Sequence, residues 1–300
     1  MRPSDWHPWK NKLLNEDGFC LNSLFHALEQ IYSRDNRFSQ TAALDAQVLL
    51  AHILGKPRSW IIAHPEARLT KDQEIELQTA LERLEIGQPL PYVLEHWEFY
   101  GLDFQISTAT LIPRPETELM VEKAIGWLEL HPEKNLVLDV GTGSGCIAVA
   151  LAANLPGLQV VACDLSLAAL QVAYQNVCRH GLSRRVFCLQ ADLIPGLGRK
   201  VDLICANLPY IPTEILLDLP VSRAEPHLAL DGGLDGMSHI QNLLSDSPRV
   251  MASDSLLLIE IEAYHGSVVC NFAETIFPKG EINLLKDLAG HDRLIYVKIP

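Results

Sequence analysis

The residues of this chain whose types and spacing suit chemistry fall in two short stretches. The first is Asp139-Val140-Gly141-Thr142-Gly143-Ser144-Gly145, where an apolar run gives way to a glycine loop and then to a helical pattern. Glycines there let the backbone turn sharply and let a ligand lie against bare peptide. Nineteen residues beyond Gly145, Asp164 closes the next apolar run. A carboxylate in that place can accept hydrogen bonds from both hydroxyls of a ribose. Together they read as a nucleoside site. The dinucleotide fingerprint GxGxxG is not met, because Cys146 takes the slot of its third glycine. Asp139, just ahead of the loop, would repel a pyrophosphate and suits a cationic ligand. S-adenosylmethionine carries an ammonium and a sulfonium and no phosphate. It is the expected cofactor, held by Gly141, Thr142, Gly143, Ser144, Gly145 and Asp164. Asp192 follows a third apolar run, where an acid can reach the adenine amino group, with Leu193 beside it to cover the adenine face.

The second stretch is Asn207-Leu208-Pro209-Tyr210, after a fourth apolar run. An amide or exocyclic amine is a poor nucleophile, because its nitrogen lone pair is delocalised. Two acceptors on its N–H groups orient and partly localise that pair. The side-chain oxygen of Asn207 and the backbone carbonyl of Leu208 are the expected acceptors. Tyr210 is expected to stack on the planar group and hold it in line with the sulfonium methyl, with Pro209 completing the catalytic set. Positioning then supplies most of the catalysis, without a strong base. Asn207, at the strand end, is also expected among the cofactor contacts. No metal is expected, because the eleven histidines and seven cysteines are dispersed without HExxH or CxxC spacing.

Several elements must hold these stretches in place. At 300 residues, 48% hydrophobic and 20% charged, the chain can build a large core. From Leu111 onward, strand and helix patterns alternate. Leu136–Val140, Val160–Cys163, Arg185–Leu189, Val201–Ala206 and Leu256–Glu262 are strand candidates, and Ile282–Leu285 with Leu294–Ile299 form a terminal hairpin. The pattern implies an α/β fold: a doubly wound, mostly parallel seven-stranded sheet ending in an antiparallel hairpin. Residues 1–86 read as a small all-α domain. Within it an apolar stripe from Ala42 to Ile53 ends near Gly55, and Thr70 with Gln73 has capping-box form. Residues 87–110 read as a linker and a hairpin turning at Gly101, and 111–300 as the catalytic domain.

Charge narrows the partners. Of the net charge of −13, residues up to Glu85 carry −2 (10 Lys and Arg against 12 Asp and Glu) and the remainder −11 (14 against 25). A phosphate-gripping protein usually shows a basic face. A protein or small-molecule substrate is therefore expected, with no direct nucleic-acid binding. No apolar run is long enough to span a membrane and no targeting signal is present, so the expected location is cytoplasmic.

With these residues in hand, the chain resembles the peptide chain release factor glutamine methyltransferases (the HemK/PrmC family) over nearly its whole length. The resemblance rests on Asp45-Ala46 ahead of Leu49-Leu50, Glu98-Phe99-Tyr100-Gly101, the glycine loop and Asn207-Leu208-Pro209-Tyr210. It also rests on Glu225-Pro226, Gly232-Gly233-Leu234-Asp235-Gly236 and Asp287-Leu288-Ala289-Gly290-His291-Asp292-Arg293. The most specific piece is Leu111-Ile112-Pro113-Arg114-Pro115-Glu116-Thr117-Glu118. The resemblance implies a class I methyltransferase sheet and N5-methylation of the glutamine in the Gly-Gly-Gln motif of class 1 release factors. It implies that Asn207 to Tyr210 hold the substrate amide, that Gly141 to Gly145 and Asp164 hold the cofactor, and that the N-terminal helices help dock the release factor. It also implies that Thr117 reaches the methionine end of the cofactor. The chain departs from the family at Leu208, where proline is usual, at Leu193, where several members carry an aromatic residue, and at Glu262, where glycine is common. Two rival readings are a nucleic-acid adenine N6-methyltransferase and a non-catalytic cofactor-binding partner of the translation machinery.

Overall fold

The computed structural model describes Leu21 and residues 42–300. The helical reading of residues 18–41 lies, Leu21 apart, outside the described residues. The chain forms two compact units, Met1–Leu94 and Glu95–Pro300.

In the first unit the described helices are α1 (Ala42–Leu54), α2 (Arg58–Ala63), α3 (Lys71–Glu85) and α4 (Leu90–Leu94). The α1 stripe buries Ala46, Leu49, Leu50 and Ile53. Helix α3 starts with the anticipated capping box: the Thr70 hydroxyl accepts the Gln73 N–H, and the Gln73 side chain accepts the Thr70 N–H. Helix α4 lies within the stretch read as a linker. Arg83 of α3 secures it by donating to the carbonyls of Tyr92 and Val93.

The second unit opens with the hairpin β1 (His96–Phe99) and β2 (Leu102–Gln105), which turns at Tyr100 and Gly101 with positive φ at both. Helix α5 (Glu118–Leu130) leads into β3 (Leu136–Val140), α6 (Cys146–Asn154), β4 (Gln159–Asp164), α7 (Leu167–Arg179), β5 (Val186–Gln190) and β6 (Val201–Ala206). After α8 (Thr213–Leu216) and α9 (Ser238–Asp246) come β7 (Met251–Glu260), α10 (Gly266–Ile276), β8 (Glu281–Lys286) and β9 (Asp292–Ile299). The sheet order is β5-β4-β3-β6-β7-β9-β8, parallel through β7 and antiparallel in the last two strands. This is the doubly wound, seven-stranded sheet expected from the alternation of patterns.

Period two in the central strands sorts their side chains between the two faces. Leu136, Leu138 and Val140 of β3 join Leu257 and Ile259 of β7 in a core with Ile240, Leu243 and Leu244 of α9 and Val269 of α10. The alternate residues Asp139 and Glu260 therefore face the other side, where α5 and α6 pack. Strand β7 starts earlier than the apolar run does. Its Ser253 and Asp254 are exposed, so hydrophobicity misses the first turn of pairing, whereas Met251 is paired with Val201. Among the described residues no helix is long and apolar enough to cross a membrane.

Candidate functional site

The strand order decides where the two chemical stretches meet. Strand β3 lies between β4 and β6, and the chain reverses direction across the sheet at that point. In open α/β sheets the crevice at such a reversal, beyond the carboxyl ends of the strands, is where ligands bind. The glycine loop follows β3 and Asn207 follows β6, so both open into one cavity of about 240 Å³.

The glycine loop is built for close approach. Gly141, Gly143 and Gly145 all have positive φ, a region costly for residues with a side chain. A Cβ on Gly141 would stand 3.0 Å from Leu208 Cδ2, and one on Gly145 would stand 3.2 Å from Ala173. The loop is also tied down by carboxylates. Asp164 Oδ2 accepts the Gly143 N–H at 2.9 Å, and Oδ1 accepts the Ser166 N–H at 2.8 Å. Burial raises the Asp164 pKa, and these N–H bonds oppose the rise.

Asp139 takes a different place from the one its position in sequence suggests. It is fully buried and does not line the cavity. Its Oδ2 accepts the Thr142 hydroxyl at 2.6 Å and the Ala148 N–H at 3.2 Å, and its Oδ1 has no partner among the described residues. Burial pushes its pKa up to about 7. Its chemistry is therefore that of a clamp between the loop and α6, not of a counter-ion held against the ligand. A folded pKa above the unfolded one contributes stability that is complete below about pH 4 and lost as pH rises through about 7. Thermal unfolding of Asp139→Asn, followed across that window, is expected to show a flatter dependence of Tm on pH than the native chain. Parallel curves for the two proteins would contradict the assignment.

The remaining expected residues fall as follows. Thr142, Ser144, Asp192 and Leu193 line the cavity, as do Thr117, Asn207, Leu208 and Pro209. Gly145 does not line it: it sits behind, as the left-handed residue that opens α6. Tyr210 does not line it either. Its backbone is gripped by the 232–236 turn, and its hydroxyl lies near Glu260 and Glu262, whose charges, with burial, raise its pKa. Leu208 is buried in the core beneath the sheet ends, so an apolar side chain suits that position. Leu193 adopts positive φ, and its carbonyl accepts the Cys163 thiol.

Asn207 sits in a chain of side chains. Its Nδ2 donates to Thr117 Oγ1 at 3.0 Å, and Thr117 Oγ1 donates to Glu260 Oε2 at 2.7 Å. Both Thr117 and Glu260 are buried. The segment preceding α5 is pinned as well: the buried Glu225 carboxylate accepts the Ile112 N–H at 3.0 Å and pairs with Arg114. That pairing brings the Ile112-to-Glu118 stretch and Glu225-Pro226 to the same cavity wall.

Two supports escaped the sequence reading. Glu260 had a usable signal, a carboxylate ending an otherwise apolar strand. Asn176 had another, an amide on the buried stripe of α7. Fully buried, it receives the Gln105 N–H and donates to the carbonyls of Gln105 and Ser144, joining β2 to the glycine loop. Glu262 now has a physical account. Its carboxylate accepts the Ala263 N–H and caps a short turn of 3₁₀ helix.

The bare glycine backbone, the flanking Asp164 and the adjoining apolar walls fit a nucleoside. Comparison with known proteins adds the following. Residues 26–94 match the family described as the PrmC N-terminal domain, and residues 118–234 match the methyltransferase small domain. A release factor glutamine methyltransferase of Moorella thermoacetica is 40% identical over 252 residues, covering 83% of this chain and 89% of that protein. One from Koribacter versatilis is 41% identical over 263 residues, covering 86% and 91%. Among solved structures, the hMettl16 catalytic domain in complex with an RNA hairpin matches with a TM-score of 0.54 at 14% identity, over 77% of this chain and 85% of that one. A methyltransferase from Pyrococcus furiosus matches with a TM-score of 0.50 at 14% identity, over 77% and 98%. At such identities the two structures show the fold alone.

Proposed function

The chain belongs to the family of release factor glutamine methyltransferases, and from that premise we propose that it methylates N5 of the glutamine in the Gly-Gly-Gln motif of class 1 release factors. The methyl donor is S-adenosylmethionine, whose sulfonium supplies an electrophilic methyl group. One observation carries the site assignment: the glycine loop after β3 and Asn207-Leu208-Pro209 after β6 wall the same cavity.

In this reading Gly141 to Ser144 and Asp164 hold the nucleoside, with Asp192 and Leu193 at the adenine end. Gly145 shapes the loop from behind. The glutamine amide donates its two N–H groups to the Asn207 side-chain oxygen and the Leu208 carbonyl. That fixes the nitrogen lone pair toward the methyl group, and the surplus proton leaves to water after transfer. Thr117 lines the wall near the methionine end. Its hydroxyl is already engaged by Asn207 and Glu260, which supports a holding role over direct ligation. Tyr210 supports the loop and reaches the planar group only if its ring turns into the cavity. Residues 1–86 serve to dock the release factor, residues 87–110 connect, and residues 111–300 form the catalytic domain. The acidic balance supports a protein substrate over nucleic acid, and a release factor substrate supports a cytoplasmic location.

Asp164→Asn is expected to weaken S-adenosylhomocysteine binding by roughly tenfold, the usual worth of one hydrogen bond to a charged acceptor. Isothermal titration calorimetry reads this directly, and unchanged affinity would remove Asp164 from the cofactor site. The deciding experiment for the function is mass spectrometry of a bacterial class 1 release factor incubated with the enzyme and S-adenosylmethionine. One added methyl on the Gly-Gly-Gln glutamine supports the proposal. An unmodified glutamine, with label found in RNA or DNA instead, overturns it in favour of a nucleic-acid methyltransferase.

A further inference from the structure

We propose that Glu260, acting through Thr117, sets which end of the Asn207 side-chain amide faces the methyl acceptor, and is thus a positioning residue of the reaction. The inference rests on the role of Asn207 given above. An asparagine amide has an oxygen that accepts and a nitrogen that donates, and the two ends are nearly the same shape. Sterics alone do not choose between them. Only the oxygen can receive an N–H of the substrate amide, so a flipped Asn207 would set one donor against another.

The hydrogen-bond chain makes the choice. A carboxylate accepts and cannot donate, so an ionised Glu260 takes the hydroxyl proton of Thr117. The Thr117 oxygen is left with lone pairs only, and it accepts from Asn207 Nδ2. The Asn207 oxygen is then free for the substrate. A protonated Glu260 can itself donate to Thr117. The Thr117 proton is then free to turn toward Asn207, whose oxygen would swing inward to meet it and leave the NH2 group facing the acceptor.

Glu260 itself does not line the cavity, so its influence passes through its neighbours. The groups that face it come from four elements. Arg293 of β9 favours its charged form, Glu116 ahead of α5 opposes it, and Tyr210 after β6 and Cys146 at the head of α6 lie near its charge. Burial outweighs the hydrogen bond from Thr117, the charge of Arg293 and a weaker bond from the Asn207 amide itself, and pushes the Glu260 pKa up to about 7. Ionisation therefore falls in the range where the enzyme would work, which makes the relay visible as a pH effect.

The test uses the full-length chain, labelled with 15N and saturated with S-adenosylhomocysteine. The side-chain amide signals of Asn207 are identified by their loss in Asn207→Ala. In the native protein these signals are expected to shift with a midpoint near pH 7, and in Glu260→Gln to stay still. Thr117→Val should reduce the shift severalfold and Thr117→Ser, which keeps the hydroxyl, should restore it. This pair also covers the case in which Glu260→Gln does not fold. With a release factor as substrate, native kcat is expected to rise roughly tenfold between about pH 6 and pH 8, as one ionisation requires. Glu260→Gln should show no such rise and a kcat lower by at least about tenfold, with the KM for S-adenosylmethionine unchanged. Native-like titration of the Asn207 amide in Glu260→Gln would overturn the relay, as would a native-like pH profile of kcat. If the native chain methylates no release factor, the substrate assignment fails and the amide titration still decides the relay.

Discussion

Asn207→Ala is expected to lower kcat for methyl transfer by roughly two to three orders of magnitude, the size seen when one polar contact to a developing charge is removed from a closed site. Affinity for S-adenosylmethionine should stay within about threefold, since the glycine loop and Asp164 lie on other strands and remain intact. The asymmetry follows from geometry. The side chain of Asn207 is held by Thr117 on its nitrogen side, and its oxygen is the one acceptor of that side chain left for a substrate N–H. Truncation removes an acceptor from the acceptor amide and leaves the Thr117 hydroxyl with an unused lone pair, a small loss for the fold. Single-turnover methylation of a release factor measures the first quantity and calorimetry the second. A variant with native kcat would end the assignment, and one that loses both activity and cofactor binding would show that Asn207 holds the cofactor instead.

Gly236→Ala is expected to cost activity by roughly ten- to a hundredfold through the loop that carries Tyr210, without touching any ligand. A Cβ there would fall 2.3 Å from the Tyr210 carbonyl oxygen and 2.9 Å from the His265 ring, and φ is +77°. No rotamer relieves a backbone clash, so either the 232–236 turn or the 207–210 loop must move. Strain of this kind costs on the order of 1–3 kcal/mol, a drop of several degrees in Tm. Gly232 meets the same steric limit without the positive φ: a Cβ there would fall 2.7 Å from the Tyr210 Cα. Gly101 is the natural control. It too has positive φ, but its Cβ would meet nothing within 4 Å, so Gly101→Ala should pay only the backbone strain and keep the loop in place. Equal loss of activity in the two variants would show that the contact with Tyr210 is not what matters.

The sheet was legible because its central strands are buried and read as apolar runs, each broken by a single aspartate, Asp139 in β3 and Asp202 in β6. Val201–Ala206 needed no adjustment. Strand β7 was harder, since exposed Ser253 and Asp254 separate Met251, which pairs with Val201, from the apolar run, and the register shifts across them. The glycine loop stood out by its spacing, and Asn207-Leu208-Pro209 by its place after a strand, and the two do line one cavity. What composition could not convey was direction. Asp139 looks like a ligand from its position, yet the alternation along β3 turns it away from the cavity and onto α6. Tyr210 follows the acceptor loop in sequence, but the packing of a turn 22 to 26 residues later decides where its backbone lies. The Thr117–Glu260 bond joins residues 143 positions apart, and no local pattern announces such a pair.

Asn176 bears on the order in which the domain assembles. Its amide holds the Ser144 carbonyl from 32 positions away and both backbone groups of Gln105 from 71. The glycine loop is short and local in sequence, but one of its carbonyls is satisfied only after α7 has docked, and α7 is oriented by a hairpin that precedes the whole sheet. Closing contacts over such spans is the slow part of folding, paid for in chain entropy before any contact repays it. The glycine loop is therefore complete only when the first-made strands of the unit rest against its middle helix.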